Sequence, residues 1–326
     1  MNNDPKPIPL DDSDTFFIDN STLERHVTCP RSAEYYILNK RETNVDKPAL
    51  AFGGIFHKIL EARYLRGTDY ITEADTNAML LAAQEGFAAY SPPDDDFRNY
   101  GAAVAGIQHY AQTYPVEPWN ILPVDGKPAI EIGFAFPIGE VSIEDTIWVK
   151  EPNGTVRQRY VKSIIIVWKG RIDMVYISQG SIYGLDHKTT SIMGPQFFKE
   201  FELSHQVHGY AWAIEQLIGQ RIRGFTINGL GFRKPTRTGE QFTFKRHTIP
   251  IYDGLLDEWV KDTIYIVSDF FEMCRRGYLP KHTKWCQGKY GACPYKPVCT
   301  LPTEAQRKIY LNTGEYKDVT WDPLAV

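Results

Sequence analysis

Two aspartates and a lysine stand where they can act together: Gly170-Arg171-Ile172-Asp173 before a short turn, and Leu185-Asp186-His187-Lys188-Thr189-Thr190 after it. Residues 171–177 and 182–188 read as the arms of a hairpin across Ser178-Gln179-Gly180-Ser181. A turn centred between Gln179 and Gly180 brings Asp173 opposite Asp186, with β-carbons roughly 5 Å apart. Strand alternation then puts Lys188 on the face of Asp186 and His187 on the other. Two bare carboxylates that close repel each other, so the pair calls for a cation. The plainer reading is a surface ion pair between an acid and Lys188 at a strand end. Against it, residues 164–167, Ile172, Val175 and Leu185 are apolar, and a charged trio ending buried strands is costly as mere structure. Two carboxylates and a backbone carbonyl make a hard oxygen site suited to magnesium or manganese. A metal held there lowers the pKa of bound water and stabilises charge building on a phosphate in hydrolysis. Lys188 is placed to orient the attacking water or to steady the anionic transition state.

Five cysteines are the second chemical signal: Cys29, Cys274, Cys286, Cys293 and Cys299, three of them crowded between 286 and 299. The stretch 1–14 is polar, acidic and proline-containing, unlike a signal or transit peptide, and reads as part of a flexible tail over 1–20. A cytoplasmic, reducing setting is therefore expected, in which disulfides are disfavoured and crowded cysteines point to a metal or cluster site. Cys274 falls within an expected long helix and reads as a buried or idle thiol.

The elements that must position these residues follow from the pattern. Ser21 to Glu24 has the form of a capping box, and Pro30 suits the first turn of a second helix, with Cys29 at its boundary. Residues 49–66 carry Phe52, Phe56, Ile59, Leu60 and Tyr64 at helical spacing. Further helices are expected over 72–90 and 97–114, separated by Ser91-Pro92-Pro93-Asp94-Asp95-Asp96. The chain then turns to β-branched and aromatic segments at 129–136, 141–150 and 156–168, with Pro152-Asn153-Gly154 as a hairpin turn. After the carboxylate hairpin come a helix over 204–218, strands over 224–232 and 241–249, and a long amphipathic helix over 253–276. This order predicts an α/β domain, a mixed sheet flanked by helices with helical and C-terminal additions. At 326 residues, 43% hydrophobic and 23% charged, composition is that of a globular protein. No apolar run approaches the ~20 residues that span a bilayer. A net charge of −4 argues against a protein that coats nucleic acid, yet seven Lys or Arg against Glu240 between 221 and 246, and six without an acid between 273 and 303, could track a phosphate backbone.

The Asp then Asp-x-Lys order resembles the PD-(D/E)XK nuclease superfamily, specifically its RecB-like branch, which implies a restriction-endonuclease-like core. Gly53-Gly54-Ile55-Phe56-His57 resembles that branch's Gly-x-x-x-His motif, whose histidine is a further metal ligand. Gln206-Val207-His208-Gly209-Tyr210 resembles its Gln-x-x-x-Tyr motif, and the two named residues share one helical face. Glu131 stands where some members carry an acid on an earlier strand. The cysteines resemble those of the iron–sulfur nucleases of this branch, among them AddB-type subunits and CRISPR adaptation exonucleases. There one cysteine before the core and three after it hold a 4Fe-4S cluster, which implies Cys29, Cys286, Cys293 and Cys299 here. The gap between Cys286 and Cys293 is wider than the Cys-x-x-Cys of some members, and structural zinc is the rival, although zinc more often uses pairs two to four residues apart. The resemblance implies a DNA exonuclease acting on single strands or ends, in recombination, repair or processing, with possible protein partners and no membrane. His57, Asp173, Asp186 and the His187 carbonyl would hold Mg2+ or Mn2+, Lys188 would assist hydrolysis, and Gln206 and Tyr210 would position the strand. A single nuclease domain over 21–300, with a C-terminal tail over 301–326, is expected. The alternative is a non-catalytic DNA-binding or assembly subunit with a nuclease fold, which would need none of Asp173, Asp186 and Lys188.

Overall fold

The structure, a computed structural model, describes residues 10–11, 13–45, 47–237, 239–288, 291–319, 322 and 324. In chain order its main elements are strand β1 (Thr15–Ile18), helices α1 (Asn20–Thr28), α2 (Pro48–Tyr64), α3 (Glu73–Ala89) and α4 (Tyr100–Thr113), and strands β2 (Ile130–Lys150), β3 (Val156–Ser178) and β4 (Ser181–Thr190). Helix α5 (His205–Ile218), strands β5 (Gly224–Phe232) and β6 (Phe242–Pro250), and helices α6 (Asp253–Arg275) and α7 (Glu304–Leu311) follow. The fold is mixed α/β, as the pattern implies. No described helix is long and apolar enough to cross a membrane.

The described residues group into two compact units. One unit comprises Asp46–Phe134 and Arg171–Leu256, the other Met1–Val45, Ala135–Gly170 and Asp257–Val326. Each is discontinuous because β2 and β3 run on without the breaks expected near 137–140 and 169–170.

In the first unit the strand order is β2, β3, β4, β5, β6. β3 and β4 are antiparallel, β4 and β5 parallel, β5 and β6 antiparallel. Every residue of β5 is buried, as expected of a strand covered on both faces. Phe52, Phe56, Ile59, Leu60 and Tyr64 of α2 pack with Met79 and Ala83 of α3, Ile107 and Tyr110 of α4, and Leu185, Leu230 and Phe244 of the sheet. On the opposite face, a side chain at Gly184 would collide with Ile214 of α5 and Phe225, so that face of β4 lies under α5. Thr72 and Asp75 cap α3 reciprocally, satisfying two otherwise orphaned backbone donors.

In the second unit β1 runs parallel to β3, Thr15 opposite Ile165 and Ile18 opposite Trp168. The capping box of α1 is formed by Asp19 and Thr22, not Ser21 and Glu24: Thr22 N–H donates to Asp19 Oδ1 at 2.8 Å and Asp19 N–H to Thr22 Oγ1 at 2.9 Å. An aspartate is as good an N-cap as serine, and Glu24 instead accepts from Asn20. The expected C-terminal tail is largely structured. Helix α7 and a strand at Tyr316–Asp318, paired with Arg41–Thr43, bury Leu311 and Tyr316 beside Tyr35, Tyr295 and Val298. Of the expected N-terminal tail, residues 1–9 and 12 lie outside the described residues, while 15–18 form β1.

Candidate active site

The carboxylate hairpin has the register that its turn predicts. Met174 pairs with Leu185 and Ser178 with Ser181, and Gln179 and Gly180 take φ of 50° and 74°. Two successive left-handed residues form the turn whose twist suits a two-residue hairpin. The paired register ends at Met174 and Leu185, and its extension by one step sets Asp173 against Asp186, both buried. The Asp173 carboxylate accepts from the His187 backbone N–H at 2.7 Å. Lys188 Nζ lies 2.7 Å from Asp186 Oδ2, on the side that strand alternation requires.

Helix α2 delivers His57 to this hairpin because Gly53 lets it lie close. A β-carbon at Gly53 would sit 2.9 Å from Thr189 Oγ1, so the first residue of the Gly-x-x-x-His run is there for approach and the last for chemistry. One turn on, His57 Nε2 lies 2.7 Å from the His187 carbonyl oxygen and Nδ1 3.3 Å from Asp173 Oδ2. Glu131, on β2, completes the set: His57, Glu131 and Asp173 each present a ligand atom within 4.8 Å of the others. Glu131 holds φ of 50°, a left-handed conformation that costs a non-glycine residue about 1–3 kcal/mol and tends to occur at functional sites. Gln206, in the first turn of α5, donates to Asp186 Oδ1 at 3.3 Å. Tyr210, one turn further, is buried with its ring against Phe134 and Phe225.

The electrostatics are those of anionic groups crowded around a cation's place. Burial would raise the Asp173 carboxyl, yet His57 beside it holds it well below the usual carboxylate range. Burial opposes the His57 charge, and Asp173 overrides that to lift the imidazole to about 9. Burial, then Asp173, pushes Glu131 up to about 7, and burial raises Asp186 against the pull of Lys188. Asp186 Oδ2 is buried and its near neighbour is the Lys188 ammonium, 2.7 Å away. Buried carboxylates, a carbonyl and an imidazole are a donor set that fits a divalent cation of the magnesium–manganese kind.

The chain matches the family model of the PD-(D/E)XK nuclease superfamily over residues 20–300. It belongs to that superfamily. No curated protein sequence matches it. Among solved structures it is similar to a candidate exonuclease from Eubacterium rectale, at 11% identity over 91% of this chain and 93% of that one, with a TM-score of 0.48. It is also similar to the protein SSO0001, at 12% identity over 79% of this chain and 78% of that one, with a TM-score of 0.28. Likenesses that remote carry no argument about activity.

Cys29, Cys286, Cys293 and Cys299 all line one cavity of about 50 Å3 in the second unit, together with Lys281, His282 and Trp285. The His282 N–H lies 3.5 Å from Cys29 Sγ. Cys274 is buried elsewhere, its thiol driven up by desolvation. The basic stretch at 221–246, by contrast, is not wholly available to phosphates. Arg246 is internal, its guanidinium bound to both Glu117 oxygens at 2.6 and 2.8 Å. Period-two alternation places Arg246 on the face of Phe242 and Phe244, a signal that the charge count obscured. Asn228, which lies against His187, carries no motif and escaped sequence reasoning altogether.

Proposed function

We propose that the chain is a Mg2+- or Mn2+-dependent DNA exonuclease, acting on single strands or ends. The observation that carries this reading is the convergence of His57, Glu131, Asp173 and the His187 carbonyl at the hairpin end, with Lys188 on Asp186. His57, Asp173, Asp186 and that carbonyl would hold the metal, with Glu131 a further oxygen donor. When bound, the ion supplies Lewis acidity and a water of lowered pKa. Lys188, kept in place by Asp186, presents an ammonium to the water or to the charge that grows on the phosphate. Gln206 bridges α5 to Asp186 and so ties that helix to the site, while Tyr210 backs the same helix against the core. The exposed cations of 221–245, in the unit that carries the site, would guide the backbone of the strand.

We further propose that Cys29, Cys286, Cys293 and Cys299 hold a 4Fe-4S cluster, the cavity they share supporting one site for all four sulfurs. Phosphodiester hydrolysis needs no electron, so the cluster's part is structural. Cleavage of linear and circular single-stranded DNA of one sequence tests the substrate reading. An exonuclease degrades the linear strand in Mn2+ and leaves the circle intact. Equal cleavage of both would replace it with an endonuclease, and cleavage of neither, by protein with its metal bound, would sink the activity.

A further inference from the structure

The ring of His187 turns away from the carboxylates and enters a buried polar network. Its register partner on β5 is Asn228, and the register partner of Asn228 on β6 is Arg246. The three side chains therefore form a straight row across the sheet. Asn228 Nδ2 lies 2.8 Å from His187 Nδ1, and Arg246 Nε donates to Asn228 Oδ1 at 3.2 Å. Because Arg246 can only donate, the amide oxygen must face it, which leaves the amide nitrogen to donate to His187. The ring is thereby fixed in orientation and in tautomer, with Nδ1 as acceptor. Arg246 is itself immobilised by the two bonds to Glu117 and by Tyr114 and Trp119, whose ring centroids lie 3.6 and 4.4 Å from its guanidinium carbon. Tyr64 stacks on His187 at an interplanar angle of 10° and donates to Glu117 at 2.8 Å, closing the circuit.

We infer that Asn228 and Arg246 are positioning residues of the proposed metal site, acting through His187. Both backbone polar groups of His187 face the site: its N–H holds Asp173, and its carbonyl lies 2.7 Å from His57. Clamping the ring on one face of β4 fixes the peptide groups attached to the same residue. A buried ion pair such as Arg246–Glu117 is a poor device for stability alone, since apolar residues of equal volume usually do as well. Partners behind a ligand, by contrast, hold it at the geometry a cation needs.

The inference rests on the metal-site reading above, and its test separates the two. Mn2+ binding to the full chain without DNA, followed by electron paramagnetic resonance, is measured beside thermal melting for the parent, Asn228→Ala, His187→Ala and the double variant. Asn228→Ala should weaken Mn2+ binding at least tenfold at a temperature where circular dichroism shows it folded. His187→Ala should do the same, and the double variant should lose no more than either alone, because both changes cut one path. If the alanine at 228 prevents folding, the volume-matched Asn228→Leu is read by the same criteria. A folded variant at 228 that melts lower but binds Mn2+ as the parent does overturns the relay, and so do losses that multiply in the double variant. A parent that binds no Mn2+ overturns the relay and the metal site together.

Discussion

Lys188 and His57 touch different carboxylates of the proposed site and are expected to fail differently when removed. Lys188 pairs with Asp186 and, being a cation, is no ligand itself. Lys188→Ala should therefore bind Mn2+ close to parental affinity while losing cleavage by at least a hundredfold, a loss typical of removing one group that stabilises charge in the transition state. Parental turnover by the folded variant would remove Lys188 from the chemistry. Imidazole suits manganese better than magnesium, so the parent should cleave at least as well in Mn2+ as in Mg2+, and His57→Ala should narrow the difference. An unchanged metal preference in a folded His57→Ala protein would count against His57 as a ligand. At this scale most of the site was legible. Strand alternation alone separates Lys188 from His187, and helical spacing separates His57 from the core-facing Phe56. What alternation could not convey is the second half of a pair: Tyr210 shares a face with Gln206, yet its ring lies against Phe134 and Phe225.

At the scale of elements, the approach of α2 to β4 decides whether His57 arrives. Gly53 and Gly54 are adjacent and behave oppositely. A side chain at Gly53 meets Thr189, while one at Gly54 meets nothing within 4 Å. Gly53→Val should overpack the contact with Thr189, cost about 1–3 kcal/mol and weaken Mn2+ binding by disturbing the approach of α2 to β4. Gly54→Ala should stabilise the protein by roughly 0.5–1 kcal/mol, as alanine orders a helix at less entropic cost, with Mn2+ affinity unchanged. Melting curves with Mn2+ titrations check both, and equal behaviour of the two variants would contradict the close-approach argument. The hairpin register was readable because Gln179-Gly180 permits one short turn and a slip by one would bury the wrong face. The continuity of β2 and β3 was not, since Gly139 and Gly170 look like breaks when only local preference is considered. The row from His187 to Arg246 was not readable either: it depends on which strands become neighbours, and nothing local encodes that.

On the scale of the whole molecule, the proposed metal donors belong to one compact unit and the four cavity-lining cysteines to the other. A cluster joining Cys29 to Cys286 closes a loop that contains nearly the entire core sequence, and long closures restrict the unfolded chain most, though only logarithmically. Ligand binding of this kind is folding free energy. Cys29→Ser should lower the melting temperature, bleach the brown colour of anaerobically purified protein and leave cleavage in whatever fraction stays folded. Cys274→Ser should leave colour and iron content unchanged. Iron-free parent protein, or a Cys29→Ser variant with full cluster content, would refute the cluster. The basic stretches show what charge counting misses at this scale, for Arg246 belongs to the interior and Arg275 and Arg276 are tied to Glu272. The central claim concerns the two facing aspartates, and one comparison tests it most directly: single-turnover cleavage of an end-labelled single strand by the full chain and by Asp186→Ala, each in Mn2+, in Mg2+ and with chelator. The account predicts that the parent cleaves in either metal and stops with chelator, while folded Asp186→Ala binds the strand but does not cut it. Cleavage that survives chelator, or a folded Asp186→Ala protein that cuts at the parental rate, would contradict it.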